Sequence, residues 1–191
     1  MYKLDECLWT SPAPISGYVE LSLLYPDLKG LFVDRLGVKS ANPAMLIDEI
    51  KKIAAKHSPK VDGIRQRLIG VGTLILKQGV DKDITTALDE LAKIKFLPQK
   101  RQDGSKILVG KDDVFFLNDH QRFGEAFKNQ SVLLDFDSEE VHVLSAMLKY
   151  MAFDGRYLSQ AVEETSSVGE GAVKDKSLTR DLASRAYALY W

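Results

Sequence analysis

Residues 95–137 read KFLPQKRQDGSKILVGKDDVFFLNDHQRFGEAFKNQSVLLDFD, and the rest of the chain is organised around them. Phe96-Leu97-Pro98 reads as a short strand that the proline ends. Ile107–Val109 reads as the returning strand, and Asp103-Gly104 between the two is a hairpin turn signal, with Gly104 supplying the positive φ. Val114–Leu117 and Val132–Phe136 are two further extended runs, separated by a short helix over Gln121–Phe127. No other part of the sequence reads as β-structure.

The flanks read as helical. Before the β-region, Asn42-Pro43 caps a helix that buries Leu46, Ile50 and Ile53. A second helix starts near Val61 and aligns Ile64, Leu68, Val71 and Ile75, and its Gly70 and Gly72 permit a neighbouring helix to come close. A third, capped by Asp83, aligns Ile84, Leu88, Leu91 and Ile94. Upstream, Tyr18–Leu24 has a weak helical pattern. Pro26 then opens a helix closed by Gly37, with Leu28, Leu31, Phe32 and Leu36 as its buried stripe. After the β-region, Asp137 with Glu140 forms a capping box for a helix running to Phe153, and Arg156–Glu164 reads as a short helix.

These elements define an α+β protein, mainly helical, with a small and largely antiparallel sheet of three to four strands. Residues 1–17 form an irregular arm. Residues 18–163 form one domain, helical over 18–94, β over 95–137 and helical again over 138–163. A loop follows over 164–176. A final helix over 177–191 carries Leu178, Leu182, Ala186 and Leu189 on one face and stops at Trp191 without a glycine or polar tail, which reads as a boundary inside a longer chain.

Composition sets the outer limits. The 191 residues are 45% hydrophobic and 28% charged, with a formal charge of −1. That balance suits a globular domain and lacks the basic surplus of most nucleic-acid binders. The single cysteine, Cys7, excludes an internal disulfide and fits a reducing compartment. No apolar run approaches the roughly 20 residues that cross a bilayer, and acidic residues stand where a signal peptide would be apolar. The expectation is an intracellular protein, cytoplasmic or nuclear, with no membrane association.

Few residues invite chemistry. His57, His120 and His142 are the three histidines, and none is spaced with another as a zinc pair. Asp119-His120 is the best catalytic candidate, a carboxylate beside an imidazole after an apolar run. A structural turn is the better account of it, with Asp119 accepting local backbone N–H bonds. Asp112-Asp113 and Asp135/Asp137 resemble hard-cation ligands but sit in no DxDxDG loop. Asp135 at a strand end and Asp137 as a helix cap account for that pair without a metal, and no cofactor is expected. Lys95, Lys100, Arg101 and Lys106 make the hairpin basic, which keeps open a nucleic-acid reading. Glu125 and Asn129 match the ExxxN spacing of GHKL-type ATPases, but the glycine-rich lid motifs that hold nucleotide are absent.

The order of short motifs is more telling than any one of them. Cys7-Leu8-Trp9, Tyr25-Pro26, Leu36-Gly37-Val38, Phe96-Leu97-Pro98, Asp103-Gly104, Asp119-His120, Phe123–Phe127, Leu134–Phe136 and Arg156–Leu158 follow one another along nearly the whole chain. In that order the chain resembles an internal segment of very large fungal proteins, sacsin-like or NO VEIN-like, that carry an N-terminal GHKL-type ATPase domain. The resemblance implies a non-catalytic interaction or scaffold module of a chaperone-like protein, whose partners are other domains of the parent or separate proteins. Any ATP-dependent step would then belong to the parent. The rival expectations are a small hydrolase or metal-dependent enzyme built on Asp119, His120, Asp135 and Asp137, and nucleic-acid binding through the basic hairpin. Oligomeric state is not legible.

Overall fold

The computed structural model describes residues 3–163. The loop expected at 164–176 and the helix expected at 177–191 lie outside the described residues, as do the first two residues of the arm.

Two small sheets sit among helices. β1 (Cys7–Leu8) pairs in parallel with β2 (Val19–Glu20), and helix α1 (Leu21–Leu24) follows directly. The main body starts at α2 (Pro43–Ala54), where Asn42 Oδ1 accepts from the Met45 N–H at 2.9 Å and Pro43 takes the first helical position. Next come α3 (Val61–Gln78) and α4 (Lys82–Leu91). The hairpin β3 (Leu97–Lys100) and β4 (Lys106–Val109) follows, then α5 (Gln121–Phe127), α6 (Ser138–Tyr150) and α7 (Leu158–Ala161).

The core lies between α2, α3, α4 and α6 and under the hairpin. Leu46, Ile47 and Ile50 of α2 are fully buried, as are Ile64, Leu68 and Val71 of α3 and Leu88 and Leu91 of α4. Phe96, Leu97, Leu144, Met147 and Leu148 close it from the other side. Each such side chain contributes about 1.5–3 kcal/mol by leaving water. Two glycines of α3 set the spacing. A Cβ on Gly72 would stand 2.7 Å from the Val143 carbonyl oxygen of α6, so those helices touch backbone to backbone. A Cβ on Gly70 would meet Leu46 at 3.1 Å and Pro12 of the arm at 3.2 Å.

The hairpin turn is built as its sequence demands. Gly104 has φ +83°, its N–H donates to the Arg101 carbonyl at 3.0 Å, and Asp103 Oδ1 accepts from the Ser105 N–H at 2.8 Å. Ser105, first through its side-chain hydroxyl and then through its backbone N–H, holds the Asp103 carboxyl below its ordinary value.

The expected sheet of three to four strands is larger than the one that forms. Val114–Leu117 and Val132–Phe136 meet at a single isolated bridge, Phe116 with Leu133, while Leu134 bridges to Gln99 of the hairpin and Leu117 to Tyr157. Leu117 donates to the Arg156 carbonyl and accepts from the Leu158 and Asp119 N–H groups, so no ladder propagates between the two extended runs. β-Structure also occurs outside 95–137, since Val19–Glu20 pairs with the arm where a weak helix was expected.

The helix expected after Pro26 is also different. Pro26–Leu28 makes a 3₁₀ turn, and Gly30–Arg35 is wound as a π-helix, with the Leu36 N–H reaching back five residues to the Leu31 carbonyl. That wider winding spreads a stripe spaced for an α-helix. Phe32 and Val33 pack against Trp9, Leu21 and Val38, whereas Leu28, Leu31 and Leu36 are exposed. With Leu23, Leu24 and Tyr25, they leave an apolar surface on this end of the molecule. Finally, Asp81 rather than Asp83 caps α4, its Oδ1 accepting from Ile84 N–H at 2.8 Å. The earlier start leaves Asp83 in the first turn, where its charge meets the positive end of the helix.

Candidate functional site

The structure separates Asp119 from His120. His120 stands at the N-cap of α5, exposed, with its ring 4.8 Å from that of Phe123. Asp119 turns to α7, where its Oδ1 accepts from the Ser159 N–H at 3.1 Å and its Oδ2 from the Ser159 hydroxyl. It therefore caps a helix 40 residues downstream instead of stabilising its own turn. The Leu117–Tyr157 bridge brings the two segments together.

Asp119 also lines a cavity of about 250 Å³ with Ser138, His142, Ser145, Tyr157 and Ser159. Ser138, His142 and Ser145 lie at i, i+4 and i+7 of α6, a polar stripe that periodicity alone places on one face. The Tyr157 hydroxyl is held above its ordinary value, first by burial and then by Asp154 and Asp119. A serine, a histidine and an aspartate thus share one cavity. Both Asp119 oxygens are engaged by Ser159, and the His142 imidazole makes no hydrogen bond among the described residues. The ordered relay of nucleophile, base and orienting carboxylate is not assembled.

The other acidic candidates are held in structural bonds. Asp137 Oδ1 accepts from Glu140 N–H at 2.9 Å, and Glu140 returns the bond to Asp137 N–H at 3.0 Å. Asp135 Oδ2 lies 2.9 Å from Lys106 Nζ, and Asp113 Oδ2 accepts from Gly110 N–H at 2.8 Å. Glu125 accepts from Gln121 within α5. Among the described residues no three His, Cys, Asp or Glu side chains gather as a metal site.

The larger concavity lies elsewhere, between the end of α2, the start of α3 and β4. It encloses about 720 Å³. Ala54, Val61, Ile94, Ile107 and Leu108 supply apolar walls, while Lys51, Lys56, His57, Lys95 and Lys106 supply the polar ones. Among the described residues no carboxylate lines it. Lys51 is bracketed by Asp48 and Glu90, each at 2.7 Å, and these two, Asp48 first, raise its pKa. Lys106 is bracketed by Asp62 and Asp135, which likewise raise its pKa, Asp62 first. Both charges are therefore compensated within the fold. Lys95 is 69% exposed and only 3.7 Å from Asp113, and Lys56 has no ion pair among the described residues. Sequence reading missed this groove because its walls come from segments up to 57 residues apart, Lys51 to Leu108.

A family model described as a domain of unknown function, DUF8348, matches residues 44–162. The chain belongs to the DUF8348 family. The groove and the Asp119 cavity both fall inside the DUF8348 segment, whereas β1, β2 and the exposed Leu23–Leu36 surface precede it. No curated protein and no solved structure matches the chain. No helix among the described residues is long and apolar enough to cross a membrane.

Proposed function

We propose that this DUF8348 protein is an interaction module without catalytic chemistry of its own, engaging a protein partner or another domain of a larger parent chain. The observation that carries the reading is the groove beside β4, with apolar walls, an unpaired Lys56 and a loosely paired, exposed Lys95, and no hydrogen-bonded nucleophile–base pair among the described residues. Concave sites with apolar walls and a few polar groups are the usual place for a ligand. The resemblance to sacsin-like and NO VEIN-like proteins adds that the parent would carry a GHKL-type ATPase and act as a chaperone-like scaffold.

The reading is tested with 8-anilinonaphthalene-1-sulfonate, a probe that is apolar and anionic like the expected contact. Saturable fluorescence that falls in a Lys56→Glu/Lys95→Glu variant supports it. An unchanged signal in that variant counts against the groove. A hydrolase reading is favoured by one observation, the shared cavity of Asp119, His142 and three serines. A wild-type esterase or peptidase activity that disappears in His142→Ala, with the fold intact, would replace the module reading with it.

A further inference from the structure

β4 is the free edge of the hairpin. The register pairs Leu97 with Val109 and Gln99 with Ile107, and the Arg101 N–H donates to the Ser105 carbonyl at 2.8 Å. The hydrogen-bonded pairs of this antiparallel ladder therefore fall at the odd-numbered residues, and the N–H and C=O groups of Lys106 and Leu108 point away from β3. The outer edge of β3 is covered, because Asp135 N–H donates to the Pro98 carbonyl at 2.8 Å. The outer edge of β4 has no such cover: among the described residues, the main chain of Lys106 and Leu108 finds no partner beyond the hairpin. Lys106, Ile107 and Leu108 all line the groove. Successive strand side chains point to opposite faces, so a groove touching all three runs along the edge of the strand rather than over one face.

An open edge is normally guarded by charge, lysine above all. Lys106 is a poor guard here, since Asp62 and Asp135 already neutralise it. Two exposed lysines also line the groove: Lys56, which has no ion pair among the described residues, and Lys95, held only by a 3.7 Å exposed pair with Asp113. A second copy pairing edge to edge would bring those lysines towards each other, which like charges oppose. A partner with carboxylates meets them favourably.

We infer that the groove accepts an extended acidic peptide segment of a partner protein, which adds to the free edge of β4 as a third antiparallel or parallel strand. The inference rests on the interaction-module reading. Main-chain bonds to Lys106 and Leu108 supply affinity, alternate apolar side chains enter the walls of Ala54, Val61 and Ile94, and acidic side chains face Lys56 and Lys95.

The test uses an end-capped peptide of alternating Glu and Val, its Lys/Val counterpart and a backbone N-methylated Glu/Val version. Binding is measured by calorimetry, and amide exchange of the protein by NMR. The Glu/Val peptide is expected to bind at least about tenfold more tightly than the Lys/Val peptide, and N-methylation is expected to abolish binding. Exchange at the Lys106 and Leu108 amides should slow in the complex. Lys56→Glu/Lys95→Glu, changing two exposed side chains, should weaken binding by about tenfold without moving the melting temperature. No Glu/Val binding while the sulfonate probe still binds would overturn strand addition and leave the module reading standing; loss of both overturns both. Peptide binding without protection of the two amides overturns strand addition. So does concentration-dependent self-association that protects those amides, or tighter binding of an oligothymidine strand to the same groove.

Discussion

The contact between α3 and α6 can be tested by adding one methyl group. Gly72→Ala introduces a Cβ whose nearest neighbours are the Val143 carbonyl oxygen at 2.7 Å, Leu144 Cδ2 at 3.1 Å and Leu144 Cα at 3.2 Å. Two of these three are main-chain atoms of a helix and cannot rotate away, so α6 must move. Overpacking of this kind costs about 1–3 kcal/mol, and backbone obstruction puts it in the upper half of that range. Alanine returns about 1 kcal/mol by its better helix propensity. The expected net loss is about 1–2 kcal/mol. Gly70→Ala is the internal control: it lies two residues away on the same helix, with the same propensity gain. Its nearest neighbours are side-chain atoms of Leu46, Pro12 and Ala13 at 3.1 to 3.4 Å, which yield more easily. It should be close to neutral. Urea denaturation of the wild type and both variants, compared by midpoint and slope, gives the two values. If Gly72→Ala matches or exceeds the wild type in stability, or if Gly70→Ala is the more damaging change, the backbone-contact argument fails.

Gly104→Val should cost about 1–2 kcal/mol, because valine must adopt the +83° φ of the hairpin turn; an unchanged denaturation midpoint would refute the turn assignment. Asp119→Ala should cost about 1 kcal/mol by freeing the start of α7 from its two bonds to Asp119, whereas His120→Ala should be nearly neutral; equal losses in thermal melts would contradict the separation of the two residues. Asp62 and Asp135 hold the Lys106 pKa above its ordinary value, so the pairing is fully present below the unfolded lysine pKa of about 10.4 and is lost as pH rises through the folded value. The melting-temperature gap between wild type and Lys106→Met should therefore be constant from pH 7 to 9 and narrow towards pH 11; a gap that widens would reverse the sign.

Much of the secondary structure was determined by short-range chemistry, and the sequence carries it openly. Asn42 and Asp137 each cap a helix by bonding a backbone N–H three residues on, and Gly104 closes its turn within five residues. The stripes Leu46/Ile50/Ile53, Ile64/Leu68/Val71/Ile75 and Ile84/Leu88/Leu91 follow from helical period and are buried as spaced. Even so, the two aspartates before α4 compete locally, and periodicity does not choose between Asp81 and Asp83. Only tertiary structure decided what depends on distant partners. Asp119 beside His120 suggested a pair, but its bonds go to Ser159, brought near by a bridge between Leu117 and Tyr157. Leu28, Leu31 and Leu36 have the spacing of a buried stripe, yet a π-helical winding and a small cluster around Trp9 leave them exposed. The groove beside β4 is not written in any one segment, because its walls are the end of one helix, the start of another and a strand edge. Local bonds fix an element from its own residues, whereas a cavity exists only once separate elements have packed.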